Sequence, residues 1–380
     1  MSRSPVHGCS VRACERRLPR SPQGRRFKGY VTRSACITSQ ASRLAFACVP
    51  SPSHIDPTHP EHPRRLEGLA ESAAAAFGDS LIAIEGSPAP EEAIAVVHLP
   101  EHLDFLRRAC SQAPAIIDYA PTYVSPRSYD CALEAAGATL AVLRAVCDNA
   151  VGRGFAAIRP PGHHATPERA MGFCLLNNIA IAAREAQRSG LERVMIVDFD
   201  VHHGNGTQAA FEADPTVLYL STHQDGIYPG TGKFDERGTG PGEGFTVNLP
   251  LPAGAGDEAF ARIADEIIAP LAARFHPDLL LVSAGYDAHW VDPLANLQLT
   301  TAGYHRLSAS VVALADDLCD GRIVFVLEGG YDPAALKEGI LASTSAMLGT
   351  APPVDRLGAP RPSPVDISAV LLAATALHGL

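Results

Sequence analysis

No stretch of this 380-residue chain comes near the roughly 20 consecutive apolar residues that a membrane-spanning helix requires. No Cys-x-x-Cys pair occurs, and the nine cysteines are scattered and odd in number. That pattern argues against a disulfide framework and for reduced thiols in a cytoplasm-like compartment. No internal repeat is present. What is there is a globular composition, 46% apolar and 19% charged, too apolar for disorder and long enough for one large α/β domain or, equally, two small ones.

The formal charge of −10 is unevenly spread. Residues 1–47 carry ten Lys/Arg (Arg3, Arg12, Arg16, Arg17, Arg20, Arg25, Arg26, Lys28, Arg33 and Arg43) against one acid, Glu15. The remainder holds 21 bases and 40 acids, a net of −19. An acidic body does not suit a nucleic-acid backbone but tolerates basic peptides. The head, rich in Arg and Ser, is open to three readings: a transit peptide for an organelle, a disordered tail, or a start placed too early. Arg25-Arg26-Phe27-Lys28 is faintly like a twin-arginine export signal, but no clean apolar segment follows. The expected organisation is a basic, disordered extension over 1–50 and a folded domain over 51–380, with folded sequence starting near His54.

Along that domain, the turn at residues 59–65 opens a helix running to about Phe77. A short strand is expected over Ala93–His98, and helices over Glu101–Cys110, Tyr129–Ala150 and Asn178–Ser189. Buried strands are expected at Gly154–Ile158, from Val194, and at Val217–Leu220, Thr246–Leu249, Leu279–Ser283 and Ile323–Leu327. Helices fit between most of them, for example Asp257–Arg274 and Thr301–Leu318. After a proline-rich linker, a last helix covers about Ile367–Leu377. Alternating apolar strands and helices imply a mostly parallel sheet covered on both faces.

The most informative stretch is Val194–Gly206, VMIVDFDVHHGNG, in which six of the first eight residues are apolar. Residues two apart on a strand share a face, so Asp198, Asp200 and His202 point one way as the strand ends. Two carboxylates and an imidazole beyond an apolar run call for a positive partner, most simply a divalent metal. The other strands also empty into reactive residues: Arg159-Pro-Pro-Gly-His163-His164, Ser221-Thr222-His223, Ala284-Gly285-Tyr286-Asp287 and Glu328-Gly329-Gly330-Tyr331. In such sheets ligands bind beyond the carboxyl ends of the strands. An Asp200/His202/Asp287 set leaves a metal position open for water, His163 and His164 supply a base and an acid, and Tyr331 can donate to a developing oxyanion. The chemistry that fits is metal-assisted hydrolysis of an amide.

RPPGHHA at 159–165, MGFCLLNN at 171–178, DFDVHHGNGT at 198–207, YPGTG at 228–232, SAGYDAH at 283–289 and EGGY at 328–331 together resemble histone deacetylases. The class II and bacterial amidohydrolase branch is the nearer match. The resemblance covers about residues 54–350 in the family's order. It implies an arginase-like α/β fold, a single domain with a mostly parallel multi-stranded sheet flanked by helices on both faces. It also implies a catalytic zinc ion and removal of an acetyl or other short acyl group from acetyl-lysine or a small acylated amine.

By resemblance, Asp200, His202 and Asp287 are the zinc ligands. His163 and His164 flank the zinc water, with His164 as general acid, Asp198 orienting His163 and Asn205 orienting His164. Tyr331 binds the acyl carbonyl. Gly172, Phe173 and Tyr228 line a tunnel for the substrate's alkyl stem. A structural monovalent cation, K+, is implied on Asp198, Asp200, the His202 carbonyl, Ser221 and the Thr222 carbonyl.

Two positions depart from the family. Where relatives often carry a backbone-anchoring Asp before Thr122-Tyr123, this chain has Pro121, with Asp118 three residues earlier. Leu294 stands where polyamine-selective relatives place an acid, which argues against polyamines. His59 and His62 read as structural, His203 as loop-shaping, and His223, His289 and Cys174 as packing near the rim. Trp290 either caps the rim or fills space. The glycine run at 238–244 reads as a flexible loop, since it lacks the strand-then-helix setting of a phosphate cradle. Two other functions stay open: a ureohydrolase on the same fold, which needs further metal ligands, and a non-catalytic acyl-ligand or metal sensor. No membrane or nucleic-acid partner is expected, and self-association is left open.

Overall fold

The computed structural model describes residues 43–361 and 365–380. The basic head, with the targeting readings placed on it, lies almost wholly outside these residues. Among the described residues there are ten strands: β1 (Leu44–Val49), β2 (Leu81–Ala83), β3 (Ala115–Ile116), β4 (Tyr123–Val124), β5 (Arg153–Ile158), β6 (Val194–Asp198), β7 (Val217–Gln224), β8 (Thr246–Leu251), β9 (Leu279–Ala284) and β10 (Ile323–Leu327). Eight of them form one sheet in the order β2-β1-β5-β10-β9-β6-β7-β8, with every neighbouring pair parallel. The other two make a small antiparallel ribbon.

Both faces of the sheet are buried, which is why its strands read as unbroken apolar runs. Along β10, Ile323, Phe325 and Leu327 enter one core while Val324 and Val326 enter the other, as period-two alternation demands. The helices, in chain order, are α1 (Leu69–Phe77), α2 (Glu91–Ile94), α3 (Pro100–Ser111), α4 (Ser128–Cys147), α5 (Asn178–Arg188), α6 (Asn205–Phe211), α7 (Asp257–Ile263), α8 (Ala269–Phe275), α9 (Thr301–Leu318), α10 (Pro333–Met347) and α11 (Ser368–His378). Leu140 and Leu143 of α4 with Ile179 of α5 cover one face. Phe260 of α7, Tyr304 of α9 and Ile340 of α10 cover the other. Among the described residues, no helix is long and apolar enough to cross a membrane.

Two sequence expectations need correcting. The sheet begins before His54: β1 lies ahead of it and is sandwiched between β2 and β5. Residues 44–49 therefore belong to the folded body and not to the extension. Ala93–His98 is not a strand, because Glu91–Ile94 closes as a helical turn whose Ala93 and Ile94 are buried. A short apolar run does not by itself distinguish the two states.

Candidate active site

Five neighbouring strands, β5, β10, β9, β6 and β7, deliver the reactive loops, so the polar tails noted in the sequence meet at one end of the sheet. Asp200, His202 and Asp287 each offer one ligand atom, and these atoms lie within 4.8 Å of one another. His202 Nδ1 faces Asp200 Oδ1 at 3.3 Å and Asp287 Oδ2 at 3.2 Å. Both carboxylates are fully buried, and among the described residues no Lys or Arg pairs with either one. Backbone N–H groups aim them: Gly329 donates to Asp200 Oδ2 at 2.7 Å and Val201 to Asp287 Oδ1 at 2.9 Å.

This donor set fits a divalent cation. A nitrogen and two carboxylate oxygens converge where charge is otherwise uncompensated, and glycines leave the space open. A Cβ on Gly329 would stand 2.1 Å from Asp287 Oδ2, and one on Gly285 would stand 2.1 Å from Asp200 Oδ2. In the metal-free protein protons do the compensating. Burial disfavours the His202 imidazolium, but Asp200 and Asp287 outweigh it and raise its pKa to about 10. Burial and the Asp200 charge push Asp287 upward.

The tandem histidines have different partners. His163 Nδ1 meets Asp198 Oδ2 at 3.1 Å, and His164 Nδ1 meets Asn205 Oδ1 at 2.8 Å. With each Nδ1 engaged, both Nε2 atoms are left for the site, and His163 Nε2 lies 3.9 Å from Asp200 Oδ1. Burial opposes the His163 charge, yet Asp200, Asp198 and Glu328 raise its pKa to about 10. Burial, with His163 and His202 as like charges, drives His164 well below the ordinary range. The two imidazoles thus have opposite proton affinities: His163 keeps its proton near neutral pH and His164 stands neutral.

Tyr331 follows Gly329 and Gly330, its ring edge-on to Phe173 at 5.7 Å and beneath Arg65, whose Cζ is 5.0 Å from the centroid. Burial pushes the Tyr331 phenol well above its ordinary value, so it remains an O–H donor. Gly172 and Phe173 both sit at positive φ, +56° and +69°, a conformation that costs a non-glycine residue about 1–3 kcal/mol. It is held by Asp118 Oδ2, which accepts from Gly172 N at 3.2 Å, and by Thr122 Oγ1, which accepts from Phe173 N at 2.9 Å. A Cβ on Gly172 would collide with His164 and Tyr228. The Tyr228 ring stands edge-on to His164 at 5.1 Å. Leu294 is exposed.

Asp198 and Ser221 are register partners on β6 and β7, and Thr222 Oγ1 donates to the Asp198 carbonyl at 3.3 Å. The residues of the expected monovalent-cation set therefore lie side by side. Three further histidines, His59, His203 and His223, have structural partners. His59 packs edge-on to Phe173 at 4.5 Å, His203 bonds Thr231 and Gln208, and His223 bonds Ser221 and the Gly232 carbonyl. Trp290 donates to the Gly358 carbonyl at 3.1 Å. The 238–244 run is stitched by backbone bonds to Glu212 and Arg237.

Several supports escaped the sequence reading. Glu61 is buried between Arg159 and Arg65. Glu328 Oε2 accepts from the backbone N–H groups of Gly162 at 2.6 Å and His163 at 3.0 Å. Tyr219 donates to Asp198 Oδ2 at 3.0 Å. Arg159 and Glu328 were visible as charges directly after apolar strands; Tyr219, inside one, carried no signal.

Sheet order, a triad that fits a metal ion, and tandem histidines are together those of a hydrolase of the deacetylase kind. Residues 59–347 match the family model "Histone deacetylase domain", and the chain belongs to the histone deacetylase family. It is 46% identical over 326 residues to "Histone deacetylase 14, chloroplastic" of Arabidopsis thaliana, covering 81% of this chain and 77% of the relative. It is 38% identical over 278 residues to "Histone deacetylase-like amidohydrolase" of Pseudomonas aeruginosa, covering 72% of each. The crystal structure of the HDA15 HD domain superposes with a TM-score of 0.79 at 35% identity, covering 89% of this chain and 94% of that one.

Proposed function

We propose that this chain is a zinc-dependent amidohydrolase that removes a short acyl group from acetyl-lysine or a small acylated amine. The observation that carries the reading is His202 Nδ1 facing both Asp200 and Asp287, with His163, His164 and Tyr331 around the same point. Asp200, His202 and Asp287 would hold the ion, and the oxygens of Asp198, Ser221 and their neighbours suit a structural K+. A zinc ion held by these residues would supply Lewis acidity, polarising the acyl carbonyl and lowering the pKa of the attacking water.

The protein's own groups do the rest. His164, locked at Nδ1 by Asn205 and kept neutral by its surroundings, accepts the water proton at Nε2, and His163, held charged against Asp198 and Asp200, fixes a positive charge beside it. Tyr331 donates its hydroxyl hydrogen to the carbonyl oxygen as negative charge builds there. His164 then delivers that same proton from Nε2 to the departing nitrogen, which leaves as the amine. Phe173 and Tyr228 clasp the apolar stem and exclude water, and the net acidic charge of the body favours basic substrates. A ureohydrolase reading lacks support, since one three-residue cluster is found among the described residues. A sensor would have no use for three proton-handling side chains.

Asp118 spends one oxygen on Gly172, Ala120 and Thr122, which weakens it as an anchor for a peptide backbone. Exposed Leu294 offers no charge to a polyamine. The basic head, together with a relative named chloroplastic, supports delivery to an organelle over a purely cytoplasmic life. Acetate release from an acetyl-lysine peptide compared with a small monoacetylated amine tests the substrate reading. Comparable kcat/KM values agree with a weak backbone anchor at Asp118, and a peptide preference above about 100-fold, near 2.7 kcal/mol, contradicts that weakness.

A further inference from the structure

The backbone that carries Tyr331 is not self-supporting. Two glycines precede the residue, and Gly330 sits at φ +119°, open to glycine and closed to other residues. Arg65 restrains the carbonyl side, donating from Nε to the Gly330 oxygen at 2.7 Å and from Nη2 to the Glu328 oxygen at 2.6 Å. The N–H side is restrained by Asp292. Its Oδ2 accepts from the Tyr331 N–H at 2.7 Å and the Asp332 N–H at 3.3 Å, and its Oδ1 accepts from the Leu294 N–H at 3.0 Å.

Asp292 is buried, and among the described residues no Lys or Arg pairs with it. Its two oxygens are met by the backbone N–H groups of Leu294, Tyr331 and Asp332. Asp332 in turn caps α10, accepting from Ala334 and Ala335 at 3.0 and 2.9 Å. Tyr331 is therefore bracketed between a clamp on the loop that bears Asp287 and a cap on a long helix.

We propose that Asp292 is a positioning residue for the reaction, setting the place of the Tyr331 hydroxyl over the Asp200–His202–Asp287 cradle. The inference rests on the role assigned above to Tyr331. The clamp acts through the tyrosine backbone, so its loss misplaces the donor without removing it, and a displacement near 1 Å can cost about 100-fold in rate.

The test compares Asp292→Asn, Asp292→Ala, Tyr331→Phe and the Asp292→Asn/Tyr331→Phe double variant in the zinc-loaded full chain, on an acetyl-lysine peptide. Asp292→Asn is expected to lower kcat by about 10- to 100-fold with KM within about twofold, and Asp292→Ala at least as much. Adding Asp292→Asn to Tyr331→Phe is expected to cost less than about twofold further, because both act through one group. In metal-free protein, amide exchange at Tyr331 and Asp332 is expected to quicken about tenfold or more in Asp292→Ala, with β9 unchanged.

If the alanine variant does not fold, the isosteric asparagine, which keeps one accepting oxygen, carries the test. Unaltered kcat in Asp292→Asn beside a crippled Tyr331→Phe overturns the clamp alone. So does a multiplicative loss in the double variant, or a raised KM at unchanged kcat, which would place the effect at Leu294. Wild-type turnover in Tyr331→Phe overturns the role of the tyrosine and the clamp with it.

Discussion

The backbone N–H of Gly329 donates to Asp200 Oδ2 across 2.7 Å, so the tyrosine loop and the metal cradle share an atom-to-atom contact. A Cβ at 329 would stand 2.1 Å from Asp287 Oδ2 and 2.6 Å from Asp200 Oδ2. Gly329→Ala is therefore expected to weaken metal binding by about 100-fold or more. Metal content after dialysis against a weak chelator reads this directly. A full equivalent of zinc in the variant would mean that the cradle is not where the ion sits.

Tyr331→Phe removes one hydrogen-bond donor and leaves the ring packed on Phe173 and Arg65. Turnover is expected to fall by about 100- to 1,000-fold, with metal content and melting temperature unchanged. Steady-state kinetics beside metal analysis check it, and a rate within threefold of wild type removes the hydroxyl from the mechanism.

Metal uptake is expected to depend on pH with a definite sign. The folded, metal-free protein holds a proton on His202 up to a pKa of about 10, above the ordinary 6.5. Binding at Nδ1 must displace it. Between pH 6 and 8 affinity is thus expected to rise about tenfold per pH unit from this group alone, with about one proton released per ion. Calorimetry in buffers of different ionisation enthalpy counts those protons; zero release would show that His202 is neutral in the empty site.

Glu61 is fully buried against Arg159 and Arg65. Burial opposes its charge, but Arg159 and His54 hold its pKa well below the ordinary 4.5. A depressed carboxylate stabilises the fold above its ordinary value, and that contribution is lost as pH falls towards the folded value. Glu61→Gln leaves Arg159 buried without its countercharge and is expected to cost about 3–5 kcal/mol near neutral pH. Denaturant unfolding at several pH values is the check. The gap to wild type is expected to narrow below pH 4.5, and a gap already under 1 kcal/mol at pH 7 would contradict the pairing.

The site's reacting residues were legible because strands buried on both faces read as apolar runs, and Asp198, His163, Asp287 and Tyr331 follow such runs closely. What lies beneath was harder to read. β1 escaped notice because LAFACV directly follows the basic head and stops at Pro50, so it looked like part of the tail. Ala93 and Ile94 looked like a strand because a short apolar run serves a helical turn equally well. Glu61 and Asp292 act through partners far off in sequence, Arg159 and Tyr331, and no local pattern announces a pairing made only by the fold. Tyr219 was hidden because one hydroxyl among apolar neighbours leaves periodicity untouched.

The most direct measurement is acetate release by the full chain as purified, stripped of metal, and refilled with one equivalent of zinc. Turnover is expected in the first state, loss on stripping, and recovery with zinc in the third. Undiminished turnover after complete stripping, or none with one zinc bound on either an acetyl-lysine peptide or a small acetylated amine, would contradict zinc-dependent deacetylation at Asp200, His202 and Asp287.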